Sequence, residues 1–159
     1  MLKNSTRSTL NELNEDFLKT KIAIVQALYN EELTENLTLK CVAGLISYGL
    51  KKKQIAIFKV PGALEVPLFC QHLAKKKKYD ALIALGVVIK GETHHFEVVT
   101  SESARGCMNV SLAYHIPIIY EIIPAYTLKT AQARAGQNNH NKGIEAARAA
   151  LFMISALRS

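Results

Sequence analysis

The stretch ALIALGVVIKGETHHFE, Ala81 to Glu97, runs from an unbroken apolar segment into a cluster of polar side chains. Ala81 to Ile89 carries no charge and no alternation, the pattern of a parallel strand covered on both faces. Next come Lys90, Gly91, Glu92, Thr93, His94 and His95: a cation, a flexible glycine, a carboxylate, a hydroxyl where a helix can begin, and two imidazoles. Ligands of open α/β sheets gather where such strands end. Backbone N–H groups at a helix start can hold an anion, and imidazole carries protons near neutral pH. The junction predicts an anion cradle beside a proton carrier.

The same strand-to-helix rhythm extends in both directions. Lys21 to Leu28 reads as a first strand. Asn30 is a good N-cap, with Glu31 and Glu32 in the first turn, and Leu33, Leu37, Cys41, Gly44 and Tyr48 follow helical spacing. Gln54 to Val60 is a second strand, ended by Pro61-Gly62. A helix follows through Leu64, Leu68 and Leu73, with Pro67 acceptable only in its first turn. After the third strand a helix is expected from Phe96 to Tyr114, weakened by Gly106. Ile116 to Ile123 is a fourth strand with Pro117 at its start. A short helix from Thr127 to Ala135 closes at Gly136. A last helix, Lys142 to Leu157, buries Ile144, Ala147, Leu151 and Ile154. Alternating strands and helices imply right-handed crossovers and a parallel sheet. The expected fold is α/β: a three-layer sandwich with a four-stranded, parallel, flavodoxin-like sheet flanked by helices. It occupies residues 20–159 as one domain, behind an N-terminal arm of residues 1–19.

At 159 residues, 49% hydrophobic and 21% charged, the chain can bury one proper core. No apolar run approaches a membrane span, and MLKNSTRSTLNELNEDFLK has no apolar region of the secretory kind. Cys41, Cys70 and Cys107 fall in apolar patterns without paired spacing. They read as small buried hydrophobes in a reducing, cytoplasmic setting, and zinc needs closer clustering. The net charge of +7 concentrates in Lys51 to Lys53 and Lys75 to Lys78. Both runs sit between helix and strand patterns and lack interleaved aromatics other than Tyr79, so a solvated rim is expected rather than a nucleic-acid surface. Basic character still attracts small anionic substrates.

The strand ends collect the candidate chemistry. Tyr29 and Asn30 follow strand one; Ala63, Leu64 and Glu65 follow strand two; Tyr120 and Glu121 approach the same edge from strand four. Tyr29 offers an aromatic face or simply roofs the core. Glu65 accepts hydrogen bonds from a ligand or serves as a first-turn carboxylate. Thr93 holds phosphate or only caps a helix. His72, His115 and His140 read as surface or loop residues. A metal site at His94-His95 is disfavoured, because adjacent residues rarely chelate one ion. No GxGxxG, Walker A or GxSxG pattern occurs at the strand ends.

The segments IAIVQALYNEELT, VPGALEVP, KYDALIALGVVIKGETHHFE, QARAG and NKGIEAA together resemble the lumazine synthase family, from about Lys21 onward. The resemblance implies condensation of 5-amino-6-(ribitylamino)uracil with 3,4-dihydroxy-2-butanone 4-phosphate, giving 6,7-dimethyl-8-ribityllumazine, phosphate and water. This is the penultimate step of riboflavin biosynthesis and needs no cofactor or metal. By position, the resemblance makes Tyr29 the ring that stacks on the pyrimidine. It places Ala63, Leu64 and Glu65 on the ribityl-binding segment and Val87, Val88 and Ile89 against the uracil. It assigns Glu92, Thr93 and Arg134 to phosphate and makes His95 the proton carrier, with His94 at a variable position. Tyr120, Arg134 and Lys142 are implied to reach in from a neighbouring subunit, so the site needs a homo-oligomer built from pentamers; riboflavin synthase is an implied partner. The chain departs from the family pattern at Tyr29 (Phe or Trp is usual), Lys90 (commonly Arg), Glu121 (usually small), the Pro124-Ala125-Tyr126 segment and the composition of the QNNHNKG loop. An archaeal-type riboflavin synthase would not need Thr93 with Arg134. A non-catalytic flavin-binding shell protein would not need Glu65, His95 and Arg134.

Overall fold

The computed structural model describes residues 17–159. Most of the expected arm lies outside them, and Phe17–Lys19 form a 3-10 turn ahead of the sheet. Four strands, β1 (Ile22–Ala27), β2 (Ile55–Val60), β3 (Ala81–Ile89) and β4 (Ile118–Ala125), alternate with α1 (Glu31–Ser47), α2 (Val66–Lys75), α3 (His95–Tyr114), α4 (Leu128–Ala135) and α5 (Lys142–Arg158). All pairings are parallel, in the order β2-β1-β3-β4. This is the flavodoxin-like three-layer arrangement expected from the sequence.

The central strands show why their sequence does not alternate. Every residue of β1 is buried, as are the first seven of β3. Ile22, Ile24, Ile83 and Leu85 pack on the layer built by α1, α4 and α5. Ala23, Val25, Leu82 and Ala84 pack on α2 and α3. Burying each large aliphatic side chain contributes about 1.5–3 kcal/mol. A buried polar stitch fixes α1 to β1: the Gln26 amide donates to Thr34 Oγ1 (3.2 Å) and Glu35 Oε2 (3.1 Å), and accepts from Thr38 Oγ1 (2.9 Å).

Several local expectations are revised. β4 starts two residues late and runs to Ala125. The Ile116 N–H is held by the Ser111 carbonyl at 3.2 Å, which ties that residue to the helix end. Pro124 falls inside β4, tolerable because β4 is an edge strand. Leu68 is 72% exposed, while Val66, Cys70, Leu73 and Ala74 face inward. Ile144 is only half-buried, whereas Ala147, Leu151 and Ile154 are buried as expected, joined by Ala146 and Ala150. Gly106 does not interrupt α3. A Cβ there would lie 2.7 Å from Pro67 Cβ, so the missing side chain lets α2 and α3 approach.

Candidate active site

The sheet order reverses direction between β1 and β3, the point where flavodoxin-like folds bind ligands beyond the strand ends. Asn30 stands at that point. It does not cap α1 with its side chain, as the sequence suggests. Its backbone is left-handed (φ 57°), and its side-chain amide donates to the Val87 carbonyl at 2.9 Å. Asn tolerates this conformation better than most residues. The bond ties the ends of β1 and β3 together.

Tyr29 is 73% exposed and does not roof the core. A Cβ placed on Gly62 would lie 3.0 Å from Glu65 Oε2 and 3.2 Å from Tyr29 Cδ2. The tyrosine ring and the carboxylate therefore converge over a bare stretch of backbone. Glu65 is exposed, sits at the start of α2 and makes no side-chain capping bond. Ala63 is buried and Leu64 is 42% exposed. This corner offers an aromatic face and an acceptor carboxylate side by side.

Past β3, Glu92, Thr93, His94 and His95 are all exposed, and α3 begins at His95. The Thr93 hydroxyl accepts from the His95 N–H at 3.4 Å, a long contact that leaves the hydroxyl available. Val87 is 2% exposed and its carbonyl is taken by Asn30, so it presents little to a ligand; Val88 and Ile89 are half-buried. Lys90 ion-pairs with Glu97 at 2.8 Å and lies near the rings of Phe96 and Tyr126. Strand-end composition points neither to Glu97 nor to a role for Tyr126. The opposite charges of Lys90 and Glu97 seven residues apart were the available signal.

Tyr120 and Glu121 do not approach the strand-end edge. Tyr120 pairs with Ala84 and Glu121 with Leu85, well before the end of β3. The Tyr120 hydroxyl is 2.7 Å from Ser103 Oγ, on the α3 side, and burial raises its pKa. Glu121 faces the other layer. Burial pushes its carboxyl up to about 7, against the fields of Lys142 and Arg134. Arg134 is exposed in the last turn of α4. Lys142 opens α5 and pairs with Glu145 at 2.6 Å. The hydrogen bonds and ion pairs of Tyr120 and Lys142 go to Ser103, Thr100 and Glu145, and none reaches Tyr29, Glu65 or His95 among the described residues.

Two clefts, of about 540 and 330 Å³, lie elsewhere: one between α1 and α4, the other at the opposite end of the sheet. Among the described residues no group of three or more His, Cys, Asp or Glu side chains could hold a metal ion. Among the described residues no helix is long and apolar enough to cross a membrane. Cys41, Cys70 and Cys107 are free and buried. His72, His115 and His140 are exposed.

Parallel strands in this order, with polar side chains gathered past their ends, define a flavodoxin-like α/β protein with a candidate small-molecule site at the sheet edge. The chain belongs to the 6,7-dimethyl-8-ribityllumazine synthase family, whose pattern it matches over residues 19–158. Curated relatives carrying that name include one from Acidovorax sp. (strain JS42), 45% identical over 142 residues, covering 89% of this chain and 90% of the relative. Another, from Leptothrix cholodnii, is 43% identical over 156 residues, covering 98% and 97%. A third, from Coxiella burnetii (strain RSA 493 / Nine Mile phase I), is 41% identical over 138 residues, covering 87% and 91%.

Proposed function

We propose that this protein is a transferase that condenses 5-amino-6-(ribitylamino)uracil with 3,4-dihydroxy-2-butanone 4-phosphate to 6,7-dimethyl-8-ribityllumazine, releasing phosphate and water. The observation that carries this reading is the convergence of Tyr29 and Glu65 over Gly62 at the sheet edge where Thr93 and His95 also stand. In a chain of this family, that edge would take a flat ring with a polyol tail at Tyr29 and Glu65 and a phosphate at Thr93.

In the mechanism the substrate amine attacks the ketone and loss of water gives an imine; after phosphate leaves, the ribitylamino nitrogen attacks the carbonyl that results, closing the second ring with loss of a second water. His95 moves the protons; its exposed position at the start of α3 lets a bound substrate reach it. General acid–base help of this kind contributes about 10²–10⁴-fold. Departure of phosphate builds negative charge, which Thr93, the backbone N–H groups around it and Arg134 stabilise, with Glu92 alongside. Tyr29 stacks on the pyrimidine, Glu65 accepts from the ribityl chain held along Ala63 and Leu64, and Val88 and Ile89 floor the ring, with Val87 buried behind them. Holding both substrates together contributes much of the rest.

The site is shared between subunits. β4 is an edge strand, so residues on either of its faces border the same open rim: Tyr120 on one side, Arg134 and Lys142 beyond the other. A second copy bringing that rim to the first copy's strand ends would complete the cradle. We propose a homo-oligomer built from pentamers, acting in the cytoplasm, with riboflavin synthase as the partner that consumes the product. Residues 20–159 form the working domain behind the 1–19 arm.

The test is absorbance detection of lumazine from the two substrates with the purified protein. Activity is expected without added metal or nucleotide, and His95→Ala should lower kcat by roughly tenfold or more, with His94→Ala much less affected. Equal losses would mean that the imidazoles are misassigned. Absence of lumazine from intact protein would overturn the reading.

A further inference from the structure

The loop from Gly91 to His95 stands in the open. A Cβ on Gly91 would meet nothing within 4 Å, and each of the five residues is exposed. A loop this bare needs something to set its shape if it is to position a hydroxyl and an imidazole. The structure provides a closure at its base. The Lys90 N–H donates to the Ala125 carbonyl at 2.8 Å, continuing the β3–β4 ladder one step past the strand. The Lys90 ammonium donates to Glu97 Oε1 at 2.8 Å, across seven residues, so the five loop residues lie inside the ring that this bond closes.

The ammonium is also caged by two rings. It lies 5.7 Å from the centroid of Phe96 and 5.5 Å from that of Tyr126, and the rings are 5.9 Å apart. Tyr126 is 72% exposed, immediately past β4. The second Glu97 oxygen is shut off from solvent, accepts no hydrogen bond and faces His94 Nδ1 at 3.6 Å. Each contact is weak alone when half-exposed. Together they fix one geometry, because the lysine must satisfy the carboxylate and both rings at once. Consistent with this, the bond to Glu97 raises the Lys90 pKa, and the bond to Lys90 lowers that of Glu97.

We propose that Lys90, Glu97 and Tyr126 form a clasp that sets the position of the Gly91–His95 loop, and that the Lys90 charge is engaged within this clasp rather than offered to substrate phosphate. These are positioning residues. The inference rests on the proposed lumazine synthesis for its kinetic consequence, but the clasp has a structural consequence independent of it.

Hydrogen exchange on the assembled wild-type and Glu97→Gln proteins provides the first test. The amides of Gly91 to His95 should exchange faster in the variant, with β1 and β3 unchanged. Equal protection of the loop would overturn the clasp, whether or not the protein makes lumazine. The second test is kinetic. Glu97→Gln should lower kcat by about tenfold, within the roughly 10²-fold that a misplaced catalytic group can cost, and should raise KM for the butanone phosphate with it, because Thr93 rides on the same loop. Tyr126→Phe keeps the ring and should behave as wild type, whereas Tyr126→Ala should lose part of kcat; because Tyr126 is exposed, this pair avoids a folding defect. Lys90→Arg should retain function. If Lys90→Gln instead raised KM for the phosphate substrate with kcat intact, Lys90 would be a phosphate ligand and the clasp would be wrong. A wild-type protein that made no lumazine would sink the function and leave the exchange comparison to decide the clasp.

Discussion

Glu121 places an ionisable carboxyl on the inner face of β4, in line with Ile119 and Ile123 and beneath α4 and α5. Among the described residues no hydrogen bond closes on it. The groups that face it are Lys142 and Glu145 from α5, Arg134 from α4 and Cys41 from α1; burial, with Glu121 as a further cause, pushes the Cys41 thiol up to about 12. Burial is the largest influence on Glu121 and raises its carboxyl to about 7. The native state therefore binds this proton more tightly than the unfolded chain. Stability from this group is complete below the unfolded pKa near 4.5 and is lost as pH rises toward 7. The expected loss is up to about 3 kcal/mol. Glu121→Gln should flatten that slope and be more stable than wild type at pH 8, as read from urea midpoints at pH 4.5 and pH 8. Parallel pH dependences would show that Glu121 is ionised and solvated in the native protein. None of this was legible in the sequence, where Glu121 stood out only as a residue of unusual size. Whether a carboxyl is desolvated depends on which face of the strand it takes and what covers that face. Tyr29, Glu65, Thr93 and His95 were legible as candidates because strand ends announce themselves by composition.

Among the elements, β3 has the boundaries its sequence predicts, because an uncharged run ends abruptly at Asp80 and Lys90. β4 starts later than its pattern suggests: Ile116 has the look of a strand residue, yet its N–H belongs to the preceding helix turn. Residue type makes Asn30 a cap, whereas its amide serves a carbonyl 57 residues away. Gly106 looks like a weakness in α3 and is instead the contact point with Pro67. Gly106→Ala would gain helix propensity of about 1 kcal/mol but must push Pro67 away. Overpacking of this kind costs about 1–3 kcal/mol, and a Cβ at 2.7 Å from a rigid ring leaves little room to relax. The expected outcome is net destabilisation, seen as a lower denaturation midpoint. A midpoint at or above wild type would mean that α2 and α3 can separate at little cost.

For the whole molecule, the single chain leaves its strand-end residues on an open rim and carries Arg134 and Lys142 on a different side. If those cations serve a neighbour's site, Arg134→Ala and Glu65→Ala chains, each inactive alone, should regain activity when mixed, unfolded and reassembled. Some interfaces would then contain neither lesion. Mixtures that stay inactive after confirmed reassembly would place all the chemistry in one subunit. Such a division of labour is not legible in pattern alone, because a sequence does not say which copy of a helix faces a given pocket.

The three cysteines have a use that concerns measurement rather than chemistry. Cys41 lies in the layer of α1, α4 and α5, whereas Cys70 and Cys107 lie in the layer of α2 and α3. All are free and at most 2% exposed. A thiol reagent reaches such a group only when its surroundings open. The rate at which Cys41 is labelled therefore clocks the opening of one face of the sheet, and the rates for Cys70 and Cys107 clock the other. The protein carries a built-in probe on each side, and a comparison of the labelling times under mild denaturant would tell whether its two layers come apart together or in sequence.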